Sequence, residues 1–489
     1  MNIKPPTVMP AAKDFYVAIE LGSSKITGIA AQKKVDGSIT VLAIATEEAA
    51  TLIRKGMVYN IDKTNQCIRN IIQKLQNTLQ TEITHVHVGI GGQGIRSLVN
   101  TITQDMDEAT VISHAIIDQM RDNNRTTRYP GQTILDDAPQ EYKVDSQYQL
   151  DPVGIECNRI EGRFLNIVWR DAYCRNLYKC FEQAGMPQPR YYLASMALAD
   201  NILTDIERRT GCILADLGAG TTTVSIYYKN LLRHTVTIPL GSANITKDIT
   251  SFHIDDLEAE KVKLAYASAY TNASEVDPEK PISIDNQRTI PQREFISLVE
   301  ARTEEIIRNV MAQVPKDLTD KLGGGIILTG GGANMKNIEL AFRNYSGIEK
   351  IRVAKNINIS INCAKGVNID NNGTLCTALA LIMKADQLSS GRPMSEVNTL
   401  FPEQETDTPA ITNPRINEQK QPGQIPTGRE RELAEEAARQ KAAEEEARRI
   451  AEEEARKAEE ERIRRENSFG NKLAKKFKSL TKKFLEEEE

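Results

Sequence analysis

Val17-Ala-Ile-Glu20-Leu-Gly22-Ser23-Ser24-Lys25-Ile-Thr-Gly-Ile29 and Ile213-Leu-Ala-Asp216-Leu-Gly218-Ala-Gly220-Thr221-Thr222-Thr223-Val-Ser-Ile226 are two copies of one pattern. Each is an apolar run that ends in an acid, passes a turn of Gly, Ser and Thr, and resumes as a second apolar run. That order predicts a strand–turn–strand hairpin. A single copy reads equally well as an ordinary hairpin with a glycine turn. Two copies with the same acid–apolar–glycine order predict a duplicated unit with a shared task. Glycine lets the backbone turn tightly and bring its N–H groups up to an anion. The hydroxyls of Ser23, Ser24, Thr221 and Thr222 add donors for phosphate oxygens. The strand-end acids Glu20 and Asp216 suit Mg²⁺, which takes carboxylate plus water ligands.

A third loop agrees. Ile326-Ile-Leu328-Thr329-Gly330-Gly331-Gly332-Ala333-Asn334 is an apolar strand running into three glycines. No Gly-Lys-Ser or Gly-Lys-Thr follows, and the spacing is not Gly-x-Gly-x-x-Gly, so neither a P-loop nor a dinucleotide fingerprint is present. Around these loops short β-branched runs (Phe15–Ile19, His85–Ile90, Cys212–Ala215, Gly325–Thr329) alternate with helical patterns (Asn65–Leu79, Phe295–Val314). The alternation predicts an α/β architecture.

The chain has 489 residues, too many for one hydrophobic core. Its net charge of −5, near balance, argues against nucleic acid as a partner. Seven cysteines without a CxxC pair predict neither disulfides nor a zinc site and fit a reducing compartment. Met1–Lys13 has no apolar core and no apolar run is long enough to span a bilayer, which predicts a cytosolic chain without a spanning helix. Residues 387–428 hold six prolines and almost no large apolar side chains, the composition of a flexible linker. Residues 429–466 hold 14 Glu and 11 Arg or Lys with no heptad stripe, which predicts a solvated single helix rather than a coiled coil.

The C-terminal segment, residues 467–489, is of another kind. Phe469, Leu473, Phe477, Leu480 and Phe484 recur at intervals of three and four, one face of a helix. Lys472, Lys475, Lys476, Lys478, Lys482 and Lys483 fill the other faces. An apolar stripe against a basic face predicts a helix lying in an anionic membrane surface.

Two acid–apolar–glycine hairpins followed by Thr-Gly-Gly-Gly resemble the actin, sugar kinase and 70-kDa heat-shock ATPase superfamily. Within it the chain resembles the bacterial cell-division FtsA family. The matches are Ile53-Arg54-Lys55-Gly56-Met57-Val58 with Ile61-Asp62, Val86–Ser97, and Glu141-Tyr142-Lys-Val-Asp145 with Asp151-Pro152-Val-Gly154. Ile238-Pro-Leu-Gly241 with Ala259-Glu260-Lys-Val-Lys263, and Glu300-Ala-Arg302-Thr-Glu-Glu305-Ile306, complete them. Glu20 stands where the family carries Asp, residues 91–95 lack its customary His, and Cys157 replaces a usual Gly.

The resemblance implies an actin-like fold of two RNase H-like lobes around a nucleotide cleft, with an FtsA-type inserted subdomain. Lobe one would take residues 14–82 and 165–205, with the insert at 83–164. Lobe two would take 206–252 and 297–386, the latter also returning to lobe one, with a small subdomain at 253–296. It implies ATP and Mg²⁺ as cofactors. Gly22, Ser23, Ser24 and Lys25 would meet the phosphates from lobe one, and Gly218, Gly220, Thr221 and Thr222 from lobe two. Glu20 and Asp216 would serve the metal; Gly330, Gly331 and Gly332 the α-phosphate and sugar; Glu260 and Lys263 the ribose and adenine. No catalytic base stands out, and turnover would be slow or absent. The implied partners are the FtsZ tail, met by Arg302 and Arg293, other copies of the chain in a filament, further division proteins and an anionic membrane. The implied place is the inner face of the cytoplasmic membrane at the division site. A pilus-assembly-type adaptor and a small-molecule kinase are the competing readings; neither calls for a terminal amphipathic helix.

Overall fold

The computed structural model describes residues 14–186, 189–272, 281–284 and 288–393. The charged segment 429–466, the helix predicted at 467–489 and nearly all of the 387–428 segment lie outside the described residues.

Two sheets share one strand order. In the first, Tyr16–Leu21 lies between Lys25–Lys33 and His87–Ile90; Ile39–Glu48 and Arg190–Leu193 follow outward on the two sides. In the second, Cys212–Leu217 lies between Thr222–Tyr228 and Gly325–Thr329, flanked by Leu231–Ile238 and Ile351–Val353. Ile19 pairs antiparallel with Gly28 and parallel with Val88. Ala215 pairs antiparallel with Val224 and parallel with Leu328. The duplication read from the two hairpins therefore extends to five strands in each sheet. One apolar core packs the first sheet together with one face of the second, through Cys212, Leu214 and Ile327. The other core lies on the second sheet's opposite face, through Ile213, Ala215 and Leu328; Val17, Ile19, Ile213 and Ala215 are fully buried. Central strands covered on both faces read as near-continuous apolar runs, which is why they were legible.

Helix Ile61–Leu79 buries Ile68, Ile71, Ile72, Leu75 and Leu79 on the first sheet. It begins before the predicted Asn65 because Asn60 caps it, its side chain accepting the Lys63 N–H at 3.0 Å. Helix Gln292–Met311 covers the second lobe, burying Phe295, Val299, Ile307 and Val310.

The insert departs from the boundaries 83–164. His87–Ile90 is an inner strand of the first sheet, and the insert's long strands run Arg96–Val111, Gln132–Val144 and Glu156–Arg170. Helix His114–Arg125 is tied to them by a buried amide pair. Asn124 Nδ2 donates to Asn166 Oδ1 at 2.6 Å, and Asn166 Nδ2 donates back at 2.9 Å. The insert's sheet continues into the second lobe through Arg96 opposite Val236. Arg233 reinforces this seam by pairing with Glu141 at 2.9 Å.

The folded chain also reaches past residue 386. Ser390–Pro393 pairs with Thr81–Ile83, and buried Ser389 accepts the Val17 N–H on its Oγ at 2.8 Å. Backbone bonds hold this polar segment, so an apolar pattern gave no sign of it. All seven cysteines are unpaired. Among the described residues no helix is long and apolar enough to cross a membrane.

Candidate functional site

The hairpin turns match residue for residue. Leu21 faces Ile26 and Leu217 faces Thr222, so four residues close each turn. A Cβ on Gly22 would stand 2.7 Å from the Lys25 carbonyl oxygen, and one on Gly218 2.8 Å from that of Thr221. Only glycine fits either place.

The turns of the two lobes also meet. A Cβ at Gly220 would lie 2.7 Å from Ser23 Oγ and 3.4 Å from the Cα of Lys55. Ser23 Oγ accepts the Gly56 N–H at 2.9 Å, which leaves the hydroxyl proton for another acceptor. Ser24 is exposed, and its carbonyl accepts the Ala49 N–H at 2.9 Å; Lys25 is half-buried. On the second turn, the Gly218 and Ala219 carbonyls accept the N–H groups of Ser242 and Ala243 at 3.0 and 2.8 Å. Helix Ser242–Ile249 thus begins against the turn and fixes it.

Glu20 and Asp216 end their strands beside these turns. The Glu20 carboxyl is pushed up to about 8, first by burial and then by the Asp216 charge, against the opposing pull of Lys25 and the Ala378 N–H. Burial pushes Asp216 up to about 6. Two neighbouring carboxyls that resist ionising together are a place for a cation. Gly330 backs Asp216: its φ is +84°, and a Cβ there would stand 2.4 Å from Asp216 Oδ1. Gly332 packs on Leu217, whereas a Cβ on Gly331 would find its nearest neighbour, Thr374 Cγ2, at 3.7 Å. Two of the three glycines therefore serve close packing and the middle one has room.

Thr222 departs from the reading that gave it a phosphate. It is fully buried as the first residue of its strand, and its unpartnered Oγ1 faces the lobe interior. There it lines a cavity of about 20 Å³ with Leu217, Gly332, Met335 and Phe342. Thr221 is the hydroxyl left at the turn. Glu260 and Lys263 do come together, one turn apart on helix Asp256–Tyr266. Buried Lys263 Nζ donates to Glu260 at 2.7 Å and to Thr246 Oγ1 at 2.9 Å, which joins them to the helix that abuts the second turn.

Arg302 and Arg293 stand apart from the cleft. Arg302 is held by both oxygens of Asp248, at 2.6 and 3.0 Å, and also pairs with Glu305. It borders an open groove of about 460 Å³ with Lys247, Ser251, Leu298 and Ala301. Arg302 is thus a paired cation rather than a free one; Arg293 is exposed.

Sequence reasoning missed Lys55 and Gly56 as neighbours of the turns, although their motif had been noticed. It also missed Ala378, whose N–H reaches Glu20 from the first turn of helix Cys376–Lys384.

The donors fit a Mg²⁺–nucleotide: two carboxyls beside turns too tight for any side chain but hydrogen. No group of three or more His, Cys, Asp or Glu is placed to hold a metal among the described residues. Mg²⁺ keeps several waters and takes one or two carboxylates plus phosphate oxygens, a set that Glu20 and Asp216 can supply.

Two lobes of one strand order, with facing acid–glycine hairpins and an inserted subdomain, define an actin-like fold. Among solved structures, the PilM–PilN type IV pilus biogenesis complex shares it with a TM-score of 0.52 at 15% identity, over 77% of this chain and 99% of that one. A family model described as "Cell division protein FtsA" matches residues 213–380, and one for the "SHS2 domain inserted in FTSA" matches 92–168. The chain is 31% identical over 346 residues to the cell division protein FtsA of Porphyromonas gingivalis, covering 69% of this chain and 72% of the relative. It is 27% identical over 406 residues to that of Pseudomonas aeruginosa, covering 81% and 95%. The chain belongs to the FtsA family of cell division proteins.

Proposed function

We propose that this protein binds Mg²⁺–ATP between its two hairpins, polymerises at the inner face of the cytoplasmic membrane, and there anchors the FtsZ ring at the division site. The observation that carries the nucleotide part is the meeting of Ser23 with Gly220 beside two carboxyls held above their ordinary range. Gly22, Ser23, Ser24 and Lys25 line the phosphates from one lobe, and Gly218, Gly220 and Thr221 from the other. Glu20 and Asp216 hold the waters of the metal, whose charge offsets that of the phosphates. Gly330, Gly331 and Gly332 border the sugar side, with Gly331 the open position, and Glu260 and Lys263 border the ribose and base. Because residues of both lobes meet the phosphates, nucleotide favours the closed arrangement and with it assembly into a filament.

Family membership and the tail's sequence support the membrane part. The stripe Phe469, Leu473, Phe477, Leu480 and Phe484 enters the bilayer surface, with lysines facing anionic headgroups. For the ring, the acidic tail of FtsZ docks at the groove lined by Lys247 and Arg302, where its carboxylates compete with Asp248 and Glu305 for Arg302; Arg293 stands on the same helix, outside the groove's lining. The test is co-pelleting of the full chain with anionic vesicles, purified FtsZ and ATP. The proposal expects FtsZ in the vesicle pellet only when this protein and its residues 467–489 are present. FtsZ pelleting equally well with a chain lacking 467–489 would contradict it.

A further inference from the structure

Resting on the nucleotide reading above, we propose that Lys55 is a third phosphate-contacting group, a cation carried between the hairpin turns to meet the terminal phosphate of a nucleoside triphosphate.

The Cα of Lys55 lies 3.4 Å from where a Cβ on Gly220 would stand, so its backbone touches the second turn. The next residue, Gly56, donates its N–H to Ser23 Oγ of the first turn at 2.9 Å. Lys55 and Gly56 are therefore the stretch of chain that touches both turns at once.

The backbone of Lys55 is clamped from its other side. Its carbonyl accepts the Gln93 N–H at 2.8 Å, and the Gln93 carbonyl in turn accepts Trp169 Nε1–H at 3.0 Å. Gly56 and Gly92 press together: a Cβ on Gly56 would lie 2.4 Å from the Gly92 Cα. Such a seat leaves the residue no freedom to relax its backbone.

The conformation held there is unfavourable for lysine. Lys55 has φ +51°, a region where glycine, asparagine or aspartate would be at ease. Lys55 and Gly56, at φ +51° and +72°, are the two central residues of the tight turn joining Ile53–Arg54 to Met57–Val58, and that turn sets a positive φ at both. The neighbouring Arg54 is already committed, stacked 3.7 Å over the Tyr59 ring. Lys55 is exposed and has no ion-pair partner among the described residues. An ammonium on a flexible four-carbon stem suits a phosphate as a point charge. Standing at the turns, away from the sugar side bordered by Gly331, it meets the last phosphate rather than the first.

Lys55→Met and Lys55→Gly, each in the full chain, test this by calorimetric titration with ATP and with ADP in Mg²⁺, beside a thermal melt. Both variants are expected to bind ATP roughly tenfold or more weakly, with ADP affinity within about twofold of the wild type. Lys55→Gly is expected to melt no lower than the wild type, because glycine takes a positive φ without strain. An unchanged preference of ATP over ADP in Lys55→Met would overturn the proposal. So would a parallel loss of both nucleotides with lowered melting, which would make the residue structural. If the wild type binds neither nucleotide, the parent reading falls and this one with it; a binding wild type with an unaltered Lys55→Met removes Lys55 alone.

Discussion

Replacing Glu20 by Gln removes a carboxyl whose ionisation burial and the Asp216 charge both oppose, yet keeps an oxygen to accept the Ala378 N–H. The Glu20 carboxyl is raised from 4.5 to about 8 in the fold, first by burial and then by Asp216. Between those values the folded chain holds a proton that the unfolded chain releases. Stability of the nucleotide-free protein therefore falls as pH rises through this window and is regained toward acid. At pH 7 the unfolded state gains about 3 kcal/mol by ionising Glu20, and at pH 5 less than about 1 kcal/mol. Glu20→Gln abolishes that gain. Without metal the variant should be more stable than the wild type by up to about 3 kcal/mol at pH 7, with the difference shrinking toward pH 5. With Mg²⁺–ATP the order should invert, because the wild type alone has both carboxylates for the metal, and binding of ligand to the fold adds stability. The assay is a set of thermal melts of the full chain from pH 5 to 8.5, with EDTA and with Mg²⁺–ATP. A variant less stable than the wild type at pH 8 in EDTA, or a difference that ignores pH, would refute the reasoning.

Gly220→Val places methyls where Ser23 Oγ and Cβ stand, 2.7 and 2.8 Å from the added Cβ. It should cost about 1–3 kcal/mol by forcing the turns apart, read by a denaturant midpoint, and should abolish ATP binding. Arg302→Ala leaves Asp248 without its two-point partner. Stability should drop by about 1 kcal/mol, and an FtsZ tail peptide should bind several-fold more weakly by fluorescence anisotropy; an unchanged peptide affinity would remove Arg302 from the interface. Phe477→Glu with Leu480→Glu breaks the apolar stripe of the C-terminal segment. Vesicle flotation should show the double variant released from anionic membranes with ATP binding intact, and wild-type binding should weaken with salt, each lysine contributing about 1 kcal/mol.

The hairpins were legible because their signal is local: a strand, its terminal acid and its turn glycine sit within a few residues. The duplication made the reading firm, and Gly22 and Gly218 prove to be the same steric necessity twice. Thr222 was misplaced because three consecutive threonines look alike. Pairing of Leu217 with Thr222 ends the turn one residue earlier, and strand alternation then points Thr222 inward. The insert's edge was read too early because His87–Ile90 has the same apolar look as an insert strand; only its pairing with Tyr16–Leu21 assigns it. Contacts such as Gly56 on Gly92, Ser389 on Val17, or Arg302 on Asp248 join positions far apart in the chain, and no local pattern encodes them.

The central claim is that the two hairpins form one Mg²⁺–nucleotide site. Calorimetric titration of ATP into the full chain, with Mg²⁺ and with EDTA, for the wild type and for Gly218→Val with Gly220→Val, addresses it most directly. Saturable binding of about one ATP per chain is expected, dependent on Mg²⁺ and absent from the double variant. Equal binding by the double variant, or binding indifferent to Mg²⁺, would contradict that claim.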